Sequence, residues 1–174
     1  MRGRSSSMST AAAAHTVSGP TSTRPTALVL AGTGAELPVN ADLREWLASD
    51  FGRAVAALHG QDRLFHTSDD RLQDRSREQM RSVGRPVTER DFLSCHSFDV
   101  TDRLAAIDIP TLALCGAHDR LTPRAYHEQL ARDLPRGEFA VVPDAAHLAM
   151  LERPAQFNGL VAGFLDDRVG NYSQ

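Results

Sequence analysis

Residues 110–123 read Pro110-Thr111-Leu112-Ala113-Leu114-Cys115-Gly116-Ala117-His118-Asp119-Arg120-Leu121-Thr122-Pro123. The run from Leu112 to Cys115 shows no apolar/polar alternation, as expected of a strand buried on both faces of a parallel sheet, and Gly116 ends it. Thr122 is placed to cap, and Pro123 to open, a helix in which Tyr126, Leu130 and Leu134 share one face. Pro135-Arg136-Gly137 breaks that helix, and Glu138 to Val142 follows as another strand. Pro143 to His147 reads as a loop. Pro154 then opens a last helix with Phe157, Leu160, Val161, Phe164 and Leu165 turned inward. Strands alternating with amphipathic helices specify a parallel α/β sheet.

Toward the N-terminus, Ala27-Leu28-Val29-Leu30-Ala31 is a second unbroken apolar run, closed by Gly32-Thr33-Gly34. Pro38 and Asn40 signal a helix start. From Ala41, the residues Leu43, Trp46, Leu47, Phe51, Ala54, Val55 and Leu58 fall at helical spacing, and His59-Gly60 stops this single expected helix. A further helix, opened by Ser68 with Asp69 and Asp70 in its first turn, carries only Leu72, Met80 and Val83 as a thin stripe and should lie on the surface. After Gly84-Arg85-Pro86, a short helix capped by Thr88 offers Phe92, Leu93 and Cys95 to a core, followed by Phe98, Val100, Leu104 and Ile107. Only three strands are legible, and no segment repeats. Residues 1–25 are dominated by Ser, Thr, Ala, Gly, Pro and Arg with little bulky apolar content, which buries no core alone.

Composition narrows the function classes. The chain has 174 residues, 41% hydrophobic and 24% charged, the profile of one soluble globular domain. Its longest apolar run is far short of the ~20 residues that a membrane-spanning helix needs. All 19 basic residues are Arg, and the formal net charge is -3. Arg71, Arg75, Arg77 and Arg81 are interleaved with Asp69, Asp70, Asp74 and Glu78, so no basic face accumulates for a nucleic-acid backbone. Cys95 and Cys115 have neither disulfide-framework nor metal-ligand spacing and fit a reducing, cytoplasmic compartment. No cofactor and no metal ion is expected, and the partner expected of such a chain is a small-molecule substrate.

In parallel α/β sheets, ligands bind beyond the carboxyl ends of the strands. Asp119 lies four residues after Cys115, and His147 lies five after Val142, so adjacent strands present an acid and an imidazole at one sheet edge. A carboxylate accepting from Nδ1 fixes the tautomer and leaves Nε2 as a general base. Spacing alone leaves open a plainer reading, in which Asp119 is a loop or cap residue and His147 bonds to backbone.

The segment from Phe98-Asp99-Val100 through Pro110-Thr111 to Asp119 and Thr122-Pro123 resembles the strand-seven stretch of the α/β-hydrolase family. Asp144-Ala145-Ala146-His147 through Pro154 resembles that family's histidine loop and final helix, and Ala27 to Leu37 its strand six. The resemblance implies the C-terminal part of an α/β-hydrolase fold: three parallel strands, flanking helices and a helical cap, with the N-terminal strands missing. It divides the chain into 1–25, a disordered start or remnant of the nucleophile-elbow helix; 26–37, a core strand; 38–100, the cap; and 101–174, the C-terminal core. It implies hydrolysis of an ester or similar acyl bond by a Ser-His-Asp triad, with Asp119 as orienting acid and His147 as general base. Carbon-carbon hydrolases, dehalogenases and acyltransferases share the scaffold. Trp46, Phe51, Phe65 and Phe92 are candidates to line a pocket under the cap, although amphipathic faces more often form core.

The chain departs from that family in two places. The family commonly has glycines where this chain has Asp144 and Ala146. The family's Gly-x-Ser-x-Gly nucleophile turn is also absent. The nearest register is Ser5-Ser6-Ser7-Met8-Ser9, which makes Ser7 the candidate nucleophile and Ser5 a second frame. Oxyanion-hole donors are worth ~3 kcal/mol each, and they lie with the missing strands. For this chain alone the expectation is therefore a truncated, catalytically silent remnant, or half of a split enzyme. Eight strands built from βα units of ~30 residues would need about 240 residues. The strand at Ala27 to Ala31 would keep an open edge for self-association or for a complementing N-terminal chain.

Overall fold

The computed structural model describes residues 25–60, 62–66 and 69–169, with the side chain of Val169 left aside. Residues 1–24, which include the candidate nucleophile Ser7 and its alternative Ser5, lie outside the described residues, as does the expected helix opener Ser68.

Three strands, β1 (Leu28–Ala31), β2 (Thr111–Gly116) and β3 (Gly137–Val142), form a parallel sheet in the order β1-β2-β3. Leu28 pairs with Thr111 and Ala31 with Leu114, while Thr111 pairs with Gly137 and Gly116 with Val142. The carboxyl ends of all three strands therefore lie at one edge. Leu112 and Leu114 pack with Val142 and Phe164 on one face of the sheet, and Ala113 packs with Leu130 and Leu134 on the other. That is the two-residue period of a strand covered on both sides.

Between β1 and β2 lie α1 (Ala41–Ser49), α2 (Phe51–Leu58), α3 (Asp70–Val83) and α4 (Arg85–His96), followed by a 3-10 turn, Thr101–Ala106. The helices covering the sheet are α5 (Arg124–Asp133) and α7 (Pro154–Val169), and the short α6 (Ala149–Glu152), which the sequence reading does not anticipate, precedes α7. Leu43, Leu47, Ala54, Leu58, Leu64 and Phe65 form an apolar core of their own within the segment between β1 and β2. Asn40 caps α1 as expected, its side chain accepting from Asp42 N and Leu43 N. The single helix expected over Ala41 to Leu58 is instead two. Asp50 ends α1 and caps α2, its carboxylate accepting from Arg53 N, because a short acidic side chain competes for backbone donors.

Two expected caps are corrected. Gly84, at φ 84°, precedes α4, and the Thr88 hydroxyl donates to its carbonyl from inside the helix. Pro123 occupies the cap position of α5, and the Thr122 hydroxyl turns to Asp119 instead. Leu93 and Phe98, expected in the core, are 47% and 39% exposed. The surface position expected for α3 holds, since none of its residues is buried. Among the described residues, no helix is long and apolar enough to cross a membrane.

Candidate active site

The acid loop and the histidine loop leave β2 and β3 side by side. Ala117 N donates to Val142 O at 2.9 Å, and His118 N donates to Ala145 O at 2.9 Å. Gly116 makes this approach possible: a Cβ there would stand 2.1 Å from Ala146 O. Of the two positions where glycine is common in the resembled family, Asp144 takes the left-handed backbone, at φ 51°, and Ala146 does not. Asp144 is exposed, so its charge stays in solvent.

Four donors hold Asp119. Its Oδ1 accepts from Leu121 N at 2.8 Å and Thr122 N at 2.9 Å; its Oδ2 accepts from Thr122 Oγ1 at 2.9 Å and His147 Nδ1 at 3.0 Å. Burial by itself would raise the carboxyl's pKa. The hydrogen bond and charge of His147, with the bonds from Thr122, outweigh it and hold the pKa below the usual carboxylate value. An ionised carboxylate only accepts, so the proton shared with Asp119 belongs to His147 Nδ1, which leaves Nε2 as the nitrogen with the lone pair whenever the ring is neutral.

The imidazole is fixed from behind. His147 N donates to Arg63 O at 3.2 Å and Leu148 N to Leu64 O at 2.9 Å, which ties the histidine loop to the loop after α2. Gly32, at φ 57°, lies against the ring, where a Cβ would stand 3.1 Å from Cε1. Among the described residues, the ring's hydrogen bonds go to Asp119 and Thr122. Burial pushes the Cys115 thiol up to about 12, so Cys115 stays protonated at the end of β2.

The structure thus brings Asp119 and His147 together, while Ser7 lies outside the described residues. His147 lines a cavity of about 230 Å³ with Gly32, Arg63, Cys95 and Tyr126. A second cavity, about 310 Å³, lies against α3 and α4 and shares Asp91 and Phe92 with the first. Of the four aromatics expected to line a pocket, Phe92 lines both cavities. Trp46, Phe51 and Phe65 instead pack in the core of the helical segment.

Sequence reasoning assigns no role to Glu152 or His127. Buried Glu152 accepts from Ala146 N at 2.6 Å and from His66 N at 2.8 Å, which joins the histidine loop to the loop after α2. Fully buried His127 accepts from Thr33 N at 3.0 Å through Nε2, which anchors the turn after β1. Burial lowers the pKa of His127. An acid five residues after His147 is visible in the sequence; its two backbone partners are not.

A family model described as alpha/beta hydrolase fold matches residues 7–154. The 3-oxoadipate enol-lactonase 1 of Acinetobacter baylyi is 36% identical over 67 residues, covering 38% of this chain and 25% of that protein. The proline iminopeptidase of Heyndrickxia coagulans is 32% identical over 72 residues, covering 40% of this chain and 24% of that protein. Among solved structures, a thermophilic esterase matches with a TM-score of 0.75 at 31% identity, over 82% of this chain and 57% of its own. The chain spans about a quarter of these curated relatives and a little over half of that esterase.

Proposed function

The chain belongs to the alpha/beta hydrolase fold family, and on that premise we propose that Asp119 and His147 are the acid and base of a site that hydrolyses an ester or similar acyl bond. The observation that carries this reading is the 3.0 Å bond from His147 Nδ1 to Asp119 Oδ2, at the carboxyl ends of adjacent parallel strands and beside a cavity. In this mechanism, His147 Nε2 takes the proton of a serine hydroxyl as its oxygen attacks the acyl carbon. The imidazolium, steadied by Asp119, returns that proton to the leaving group. Water then repeats the sequence on the acyl-enzyme and frees the acid. Ser7 is the candidate nucleophile, and the helices of 38–100 serve as the cap over the substrate.

A second reading has its own support. Among the described residues, the outer edge of β1 has no partner strand, and the chain spans 57% of the thermophilic esterase. On this reading the chain supplies the acid–base half of a site, and a complementing segment pairs along β1 and brings the nucleophile.

A fluorophosphonate probe followed by peptide mapping separates the two. Labelling at Ser7, with ester turnover that falls about 10²–10⁴-fold in His147→Ala, supports the first reading. A folded chain that takes no label at any serine defeats intrinsic catalysis.

A further inference from the structure

Asp62 follows α2 in a left-handed conformation, at φ 55°, and is 6% exposed. Its Oδ1 lies 2.6 Å from His66 Nδ1, and its Oδ2 lies 3.5 Å from Arg120 Nη2. The His118 ring, from the acid loop, stacks on the His66 ring with centroids 3.7 Å apart and planes inclined by 2°. Asp62, His66 and His118 each offer one ligand atom, all within 4.8 Å of one another. A hydrogen bond accounts for Asp62 with His66; it does not account for a second imidazole converging on them.

From this convergence, the geometry points to a divalent transition-metal site formed by Asp62, His66 and His118. Two imidazoles and one carboxylate are the donor set of zinc sites that keep an open position, whereas calcium and magnesium favour oxygen ligands. Zinc–nitrogen and zinc–oxygen distances of about 2.0–2.2 Å require the three atoms to draw closer than they now stand. Neither His66 nor His118 is buried, so both rings can turn, and His66 gives up its bond to Asp62 as the ion takes its place. The backbones beneath are already fixed: His66 N is held by Glu152, His118 N by Ala145 O, and Leu64 N by Leu58 O. An ion here would clamp the loop after α2 to the loop that carries Asp119. The site stands independently of the hydrolase reading.

The test is calorimetric titration of the chelator-treated full chain with zinc. One equivalent is expected to bind, at least about tenfold more weakly in His118→Ala and in His66→Ala, and unchanged in His96→Ala, which removes an exposed histidine elsewhere. Cobalt should give a visible ligand-field spectrum that His118→Ala abolishes. Circular dichroism confirms folding, and His118→Ala decides the matter if His66→Ala fails to fold. Absence of saturable binding, or binding that both substitutions leave intact, overturns the site.

Discussion

Leu28-Val29-Leu30-Ala31 and Leu112-Ala113-Leu114-Cys115 are nearly interchangeable as apolar runs, yet every residue of β2 is buried and every residue of β1 only partly so. β2 has a strand on each side and helices over both faces; β1 has β2 on one side and, among the described residues, no strand on the other. Burial is therefore set by position in the sheet and not by composition. The candidate site spans this division, because its acid comes from the loop after enclosed β2 and its histidine from the loop after β3, an edge strand buried only at Val142.

The largest test of this contrast is truncation. Leu114→Ala should cost about 2–5 kcal/mol, and Leu30→Ala clearly less, because a partly exposed site loses less transfer energy and leaves less of a cavity. Urea unfolding of the two variants measures the difference, and equal losses would break the comparison.

Next is the buried carboxylate that links the histidine loop to the loop after α2. Glu152→Gln should cost about 1–3 kcal/mol, because one amide oxygen cannot replace two carboxylate oxygens facing Ala146 N and His66 N. Chemical denaturation measures it, and a loss as large as that of Leu114→Ala would shift the weight of the comparison from the sheet to the loops.

A smaller effect is expected from pH. Unfolded, an imidazole titrates near 6.5; in the folded chain burial holds His127 below that value. Between the two values the unfolded chain binds more protons, so this contribution is complete above about pH 6.5 and is lost as pH falls. His127→Gln should flatten the decline in urea midpoint between about pH 7.5 and 5.5. His59, also lowered first by burial, keeps part of the slope.

The smallest effect on stability is expected at the open edge. Leu28 N donates to Pro110 O and Gly32 N to Leu114 O, so by alternation Ala31 N faces the outer edge. Ala31→Pro should reduce self-association seen by light scattering while keeping the bonds to β2. Unchanged association would remove the β1 edge as its cause.

The three strands and the pair Asp119 and His147 are legible in the sequence because each leaves a local mark: an unbroken apolar run, a glycine, a polar residue just beyond it. The break at Asp50 is less legible, since apolar residues keep a helical spacing across it from Trp46 and Leu47 to Ala54 and Val55. The caps expected at Thr88 and Thr122 go elsewhere because a hydroxyl near a helix start has more than one acceptor in reach. Glu152, His127 and the cluster of Asp62, His66 and His118 leave no local pattern, because their partners come from distant parts of the chain.

Sequence alone was enough for the three strands, for the longer helices apart from the break at Asp50, and for the two residues beyond neighbouring strand ends, because propensity and periodicity act over a few residues. Only the tertiary structure decided that Asp119 meets His147 at 3.0 Å, that Gly116 lets their loops touch, and that β1 remains half-covered while β2 is enclosed. Those outcomes depend on contacts between segments far apart in the chain, which packing alone brings together.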